Sequence, residues 1–310
     1  MTKIAFIFPG QGSQAIGMGK DLYDNFAAAR EVFAEADDAL GFKLSEMCFA
    51  GDEADLQLTA NTQPAILTTS IAAFRAMEAE GFPPPAYVAG HSLGEYSALV
   101  AAGALRFADA VKTVRKRGTY MQEAVPVGVG AMAAILGLPL ETVAVACQDA
   151  AQGEVCSPAN INSPAQIVIA GNTEAVDRAI DLLKQRGAKR AIKLNVSAPF
   201  HCALMLPAQE RLAEDLAEIN FRDLSFPLIE NVSAEENTRG ARVGEALTEQ
   251  VSKPVRWAES IETLTAREVE IFVEVGAGKI LSGLVRQINR DVRCLNVENF
   301  DSLKQAVQTL

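Results

Sequence analysis

Gly90-His91-Ser92-Leu93-Gly94 sets one serine hydroxyl between two glycines, with an apolar run entering the turn and a helix-length stretch of small apolar residues leaving it. A strand-to-helix turn of this pattern is a nucleophile elbow when it is so tight that only glycine fits at its flanks, which lifts the serine hydroxyl clear of the backbone. Ser92 then sits at a helix N-terminus, where the dipole and unpaired N–H groups favour developing negative charge. A serine hydroxyl is a weak nucleophile at neutral pH and needs an adjacent base, most often histidine. The chain has two. His91 directly precedes Ser92 in the turn, so its side chain diverges from the serine's, and by elimination His201 is the base.

An α/β-hydrolase places an acid between the serine and the histidine in chain order, in a strand-end loop. Glu154, Glu174, Asp177 and Asp181 satisfy the order but not the place. The expectation is therefore a Ser92/His201 dyad, with the second imidazole nitrogen held by a neutral acceptor. One oxyanion donor is the N–H of Leu93 and the other comes from a different loop. The loop after the first strand, with Gly10, Gly12, Gly17 and Gly19, makes Gln11 the candidate. That loop is no dinucleotide fingerprint, since Ala15 stands where the third glycine is required.

The elements that must hold these groups alternate. Residues 4–8 and the run entering Gly90 read as buried strands, and residues 21–40 and 61–80 as helices, the second with Pro64 in its first turn. Residues 108–122 form a helix with Val111, Val114, Gly118 and Met121 on one face and Arg117 at its edge. Beside Arg115 and Lys116, Arg117 taken alone reads as a solvated cation. After His201 come a helix over 204–218, a strand over 226–229 ending in Glu230-Asn231-Val232, helical residues at 247–252 and from Val255 on, and a strand at 271–275 leading into a helix over 279–288. Such alternation implies a large α/β-hydrolase-like subdomain with a mostly parallel sheet covered on both faces. Between Val125-Pro126 and Ala198-Pro199 the order becomes βαββαβ, the split motif of a ferredoxin-like lobe. Residues 126–198 are thus an inserted small subdomain, and residues 1–125 and 199–310 form the large one.

With 310 residues, 49% of them apolar, the chain can bury one large core and a smaller one. Five scattered cysteines without a Cys-x-x-Cys pair read as free thiols of a reducing compartment and not as a metal site. The first apolar run is too short for a signal-peptide core and no stretch approaches a membrane span, so a cytoplasmic protein is expected. A net charge of -11 argues against nucleic acid and means that any acidic partner needs a local basic patch.

Gly10-Gln11-Gly12-Ser13-Gln14, Asn61-Thr62-Gln63-Pro64, Gly90 to Glu95, Phe200-His201 and Gln250 together resemble the malonyl-CoA:acyl-carrier-protein transacylases of bacterial fatty acid synthesis, nearly end to end. The resemblance implies malonyl transfer from malonyl-CoA to acyl carrier protein through an ester on Ser92, with His201 as base, no cofactor, and action as a monomer. It implies oxyanion N–H groups from Gln11 and Leu93, and a substrate site that includes Gln63, Phe200 and an Arg117 paired with the malonyl carboxylate. It also implies that Gln250 steadies the histidine through its main-chain carbonyl, with Asn231 assisting. Related polyketide acyltransferases that prefer malonyl also carry Phe-His, so Phe200 is expected to crowd an α-methyl branch.

Two other readings share parts of this pattern. A serine thioesterase or esterase would use the dyad but has no use for a cation against the acyl tail, so it requires Arg117 far from Ser92. A non-catalytic carrier-protein binding module requires Ser92 and His201 too far apart to hydrogen-bond. Carrier proteins are acidic, so docking calls for a positive surface. Lys184, Arg186, Lys189, Arg190 and Lys193 form the densest basic cluster, with Lys189 and Arg190 as its candidates for contact; the alternative is a solvated helix end and strand edge.

Overall fold

Strand β1, Lys3–Phe8, is buried along nearly all its length, and a strand without a solvent face needs a layer on each side of its sheet. Ala5 and Ile7 pack with Trp257, Ile261 and Phe272. Ile4, Phe6 and Phe8 join the opposite core with Ile66, Phe74 and Met77 of the long helix Thr59–Ala79. In the computed structural model, which describes residues 2–196 and 198–310, β1 lies inside a six-stranded sheet. The other strands in chain order are β2 (Tyr87–Gly90), β3 (Gly130–Leu136), β4 (Cys156–Ser163), β5 (Gln166–Asn172), β6 (Arg190–Lys193), β7 (Leu228–Ile229), β8 (Glu236–Asn237), β9 (Val269–Val275) and β10 (Arg293–Val297). The large sheet runs β10-β9-β1-β2-β7-β8, and each pairing is parallel except β7 with β8.

Register decides where chemistry can occur. Phe8 stands opposite Gly90 and Ala89 opposite Ile229. The loop carrying Gln11, the turn carrying Ser92 and the turn carrying Asn231 therefore leave the carboxyl ends of three neighbouring strands side by side, the end at which open parallel sheets bind ligands.

The second sheet, β4-β5-β3-β6, is antiparallel throughout, the strand order of a ferredoxin-like lobe. Its two faces follow the period of two. Ala131, Ala133, Ile135, Ile167 and Ile169 pack under the helices Leu140–Ala151 and Thr173–Gln185, whereas Met132, Ala134, Val168 and Ala170 belong to the large core. A parallel bridge between Asn160 and Val255 ties β4 to the large sheet's side of the molecule.

Three expectations are corrected. The helix over 21–40 is two helices, Lys20–Asn25 and Ala27–Leu40, because Phe26 takes an extended backbone and turns its ring against Phe300, 5.7 Å between centroids. The helix expected from residue 61 begins at Thr59, which moves Pro64 into its second turn, where the missing N–H costs one helical bond. The strand expected over 188–196 is shorter, Arg190–Lys193, with one further backbone hydrogen bond at each end, from Lys189 to Leu136 and from Leu194 to Met132. Among the described residues, no helix is long and apolar enough to cross a membrane.

Candidate active site

The elbow is fixed by contact. A Cβ at Gly90 would collide with the carbonyl group of Gly94, and one at Gly94 with the carbonyl oxygen of Phe8. Ser92 itself is held in the left-handed region at φ 52°, a conformation costing about 1 to 2 kcal/mol for a residue with a side chain. Asn231 spans the turn: its Oδ1 accepts from the Ser92 N–H at 2.7 Å and its Nδ2 donates to the Gly90 carbonyl at 2.6 Å.

His201 Nε2 lies 2.7 Å from Ser92 Oγ, and Nδ1 lies 2.8 Å from the Gln250 carbonyl oxygen. A carbonyl only accepts, so Nδ1 carries the hydrogen and Nε2 presents a lone pair to the serine hydroxyl. His201 also has a positive φ, 59°, so both members of the pair sit in backbone conformations that the surroundings enforce. Burial, and next the Arg117 charge, hold the imidazole down to about 3, so it is neutral at any ordinary working pH. His91 faces away and meets Asn162 Oδ1 through Nε2 at 2.7 Å.

Arg117 is 2% exposed. It is not the solvated cation its neighbours suggest: Lys116 pairs outside with Asp215 at 2.5 Å, while Arg117 donates through Nη1 to Gln63 Oε1 at 2.8 Å and through Nη2 to Gln250 Oε1 at 2.9 Å. Nη2 also lies 3.2 Å from Ser92 Oγ, and the guanidinium stands 5.7 Å from the centre of the Tyr96 ring. Burial lowers its pKa from the ordinary value, opposed by Tyr96 and Glu95, yet a guanidinium remains charged. Its hydrogen-bond partners are amides and a hydroxyl, and among the described residues no carboxylate is in contact.

A cavity of about 70 Å³ opens over Ser92, lined among others by Gln11, Gln63, Leu93, Arg117, Phe200 and His201. Phe200, Gln11, His91, Met132 and Asn160 also line an adjoining, mostly apolar cavity of about 370 Å³ that runs between β3, β4 and β5 on one side and Ile280, Leu281 and Leu284 on the other. Among the described residues no partner engages the backbone N–H of Gln11 or of Leu93.

The site thus gathers Ser92, His201, Gln11, Leu93, Arg117, Gln63, Phe200 and Gln250. Asn231 is corrected: its amide brackets the elbow instead of reaching the imidazole, because β7 delivers it to the Ser92 side of the turn. Sequence reasoning gave no role to Glu95, 1% exposed, whose Oε2 accepts from Gln250 Nε2 at 2.6 Å. A lone carboxylate in a helix of otherwise apolar and small residues was the available signal. Asn160 was also missed, since only the bridge to Val255 brings it to the cavity.

The basic cluster is partly neutralised. Lys184 pairs with Asp181, Arg186 with Asp149 and Lys193 with Asp177. Lys189 and Arg190 are exposed. Arg190 is in register with Leu136, and Leu136 with Gln166 at the larger cavity, so two strand spacings, about 10 Å, separate Arg190 from the cavity rim.

The geometry has known counterparts. The acyl transferase domain profile matches residues 5–302. The malonyl CoA-acyl carrier protein transacylase of Bacillus subtilis (strain 168) is 52% identical over 311 aligned positions, covering 100% of this chain and 98% of that protein. An acyl carrier protein S-malonyltransferase from Vibrio cholerae superposes with a TM-score of 0.96 at 49% identity, over 98% of this chain and 99% of that one. A malonyl-transacylase solved with its type II PKS acyl-carrier protein superposes with a TM-score of 0.98 at 45% identity over 100% of both chains. With a serine elbow, a histidine on its hydroxyl and a buried arginine at the acyl pocket on a chain this similar throughout, the protein belongs to the acyl transferase family, in its branch of malonyl CoA-acyl carrier protein transacylases.

Proposed function

We propose that the protein moves a malonyl group from malonyl-CoA to the phosphopantetheine thiol of acyl carrier protein through an ester on Ser92, supplying malonyl-carrier protein for fatty acid synthesis. The observation that carries this reading is Arg117, a buried guanidinium 3.2 Å from the nucleophile and, among the described residues, without a carboxylate in contact. A carboxylate at the far end of a short acyl group is the partner such a cation lacks. The 2.7 Å contact of Ser92 with His201 removes the condition for a mere binding module, and the closeness of Arg117 removes that for a thioesterase or esterase.

In the first half-reaction the Ser92 hydroxyl gives its proton to His201 Nε2 as Oγ attacks the thioester carbon. The N–H groups of Gln11 and Leu93 receive the oxyanion. Collapse breaks the carbon–sulfur bond, His201 returns the proton to the CoA sulfur, and malonyl-Ser92 remains. The carrier thiol repeats the sequence in reverse, giving its proton to His201, attacking the ester, and leaving Ser92 protonated. Gln250 holds the imidazole through its carbonyl, Gln63 holds Arg117, and the pantetheine arm follows the larger cavity between the insert of residues 126–198 and the rest of the chain. Over the two steps one thioester is exchanged for another through a serine ester, so the chemistry calls for no cofactor. The protein acts as a monomer in this reading, and its five free cysteines suit the cytoplasm.

Intact mass tests this directly. Mixed with malonyl-CoA, the protein gains one malonyl group stably; steady hydrolysis without an adduct would make it a thioesterase, and no reaction would leave only a binding module.

Phe200 bears on the α-carbon, lining the acyl cavity beside the base. Phe200→Ser should narrow the preference for malonyl over methylmalonyl by about tenfold, the order expected for one methyl group. Competition of the two CoA thioesters for Ser92 measures it, and an unchanged ratio would assign the discrimination elsewhere.

The carrier protein docks on Lys189 and Arg190 in this reading, the two cluster members left outside the ion pairs. Reversing both to Glu should raise the apparent KM for carrier protein several-fold at low salt, about 1 kcal/mol or more, and flatten its salt dependence. Loading from malonyl-CoA should change less. Carrier kinetics that do not move at low ionic strength would shift attention to Arg115, Lys116 and Arg286.

A further inference from the structure

The reaction described above leaves one buried acid behind Ser92 unused. Glu95 lies one helical turn past the nucleophile. Its Oε2 accepts from Gln250 Nε2 at 2.6 Å, and its Oε1 faces the Asn231 N–H at 3.3 Å. These two partners are the brackets of the site. Gln250 touches three working parts: its Nε2 also donates to the Ser92 carbonyl at 2.9 Å, its Oε1 accepts from Arg117, and its main-chain carbonyl holds His201. Asn231 holds the elbow.

We infer that Glu95 is a positioning residue for malonyl recognition, holding the Gln250 amide so that the Arg117 guanidinium is aimed at the acyl pocket, and tying that amide to the elbow through Asn231. The inference rests on the malonyl reading of Arg117 given above.

Gln250 Nε2 has two hydrogens and two acceptors, Glu95 Oε2 and the Ser92 carbonyl. With both filled, Oε1 is committed to Arg117. Without Glu95, one amide hydrogen is stranded in a site closed to water, and the amide must turn to satisfy it, which withdraws Oε1 from the guanidinium. Arg117 then keeps only Gln63 as an amide partner, with the reacting Ser92 hydroxyl on its other terminal nitrogen. A malonyl carboxylate requires the fork to be aimed. Acetyl has no carboxylate and is indifferent to it.

Glu95 faces Gln250 of the helix Gly240–Gln250, Glu230 and Asn231 of the turn after β7, and Arg117 of the helix Phe107–Glu123; Glu230 is itself 3.4 Å from Arg242. Burial pushes the Glu95 carboxyl up to about 8, with Gln250 and Arg117 opposing and Glu230 adding to the rise. It is therefore mainly protonated at pH 7 and becomes a carboxylate as pH rises through about 8. Both carboxyl oxygens accept from N–H groups, Oε2 from the Gln250 amide and Oε1 from the Asn231 main chain, so the contacts to the two brackets exist in either protonation state. Above pH 8 the new negative charge opposes a malonyl carboxylate and leaves acetyl untouched.

The test compares loading of Ser92 from malonyl-CoA and from acetyl-CoA at pH 7 and pH 9 in the unaltered protein, Glu95→Ala and Glu95→Gln. Glu95→Ala should lower the malonyl-to-acetyl ratio of kcat/KM by about tenfold or more at pH 7. Glu95→Gln resembles the protonated acid and should stay within about threefold of the unaltered protein there. Between pH 7 and 9 the unaltered ratio should fall and the Gln ratio should not; His201, held down to about 3, does not titrate in that window. A Glu95→Ala protein with an unaltered ratio, or a Gln variant as impaired as Ala, overturns the assignment. Where Ala does not fold, the Gln profile decides alone, and an alkaline fall equal to the parent's overturns it. If the unaltered protein forms no malonyl-serine, the malonyl reading falls and this one with it; if it does and the ratios stay put, only the role of Glu95 falls.

Discussion

Ser92→Ala should reduce malonyl transfer by about six orders of magnitude and gain no mass from malonyl-CoA, as expected when the nucleophile of a unit that works as one is removed. The size of the effect follows from the absence of a stand-in. Cys202, the residue after the base, is buried, donates to the Pro199 carbonyl at 3.1 Å, and has its thiol pushed up to about 12 by burial. His201 is neutral and could in principle accept an acyl group, but an acyl-imidazole would hydrolyse and leave no stable adduct. The variant should fold: no hydrogen bond from the Ser92 hydroxyl holds the elbow, which is fixed by Gly90, Gly94 and Asn231 through backbone atoms. Intact mass and steady-state transfer to carrier protein are the measurements. An adduct of normal mass on Ser92→Ala would put the ester on another residue and discard the mechanism.

Much of the site was legible because its chemistry is local. Gly90 and Gly94 flank a turn that tolerates no Cβ, and a chain with two histidines leaves His201 when geometry disqualifies His91. The division of β3 between two cores, Met132 on one side and Ala131 and Ala133 on the other, was not legible, since all three are apolar. What the sequence hid was set by distant pairing. Asn231 faces the elbow only because β7 lies in parallel register with β2. Arg117 occupies the edge of its helical face in a wheel diagram, and that position does not say whether the edge meets water or a neighbour; here the helix packs against Thr59–Ala79, bringing Gln63 to the guanidinium. Glu95 was hidden for a similar reason, since its partners stand 136 and 155 residues away. Phe26 broke an otherwise continuous helical period to reach Phe300, a tertiary contact that overrides local propensity.

Arg117→Ala should lower malonyl loading of Ser92 by two to three orders of magnitude while acetyl loading holds or rises. In the proposed reaction the malonyl carboxylate would enter a cavity of about 70 Å³ whose one cation is this guanidinium among the described lining residues. Removing one partner of a buried ion pair leaves the other charge uncompensated, at about 3 to 5 kcal/mol. Two further consequences act on both substrates alike. Gln63 Oε1 and Gln250 Oε1 lose their donor, at about 1 kcal/mol or more each unless water replaces it, and the imidazole loses the positive charge that helps hold its pKa down. The first slows both reactions; the second makes His201 a somewhat stronger base and offsets part of that loss. Against them, a neutral acetyl tail no longer has to desolvate a guanidinium, which favours acetyl alone. The ratio of malonyl to acetyl loading, and not either rate, therefore isolates the carboxylate contact, and it should fall by at least the malonyl loss itself. Equal losses for the two thioesters would make Arg117 a wall of the pocket and no more, and the carboxylate would have to be met by another group.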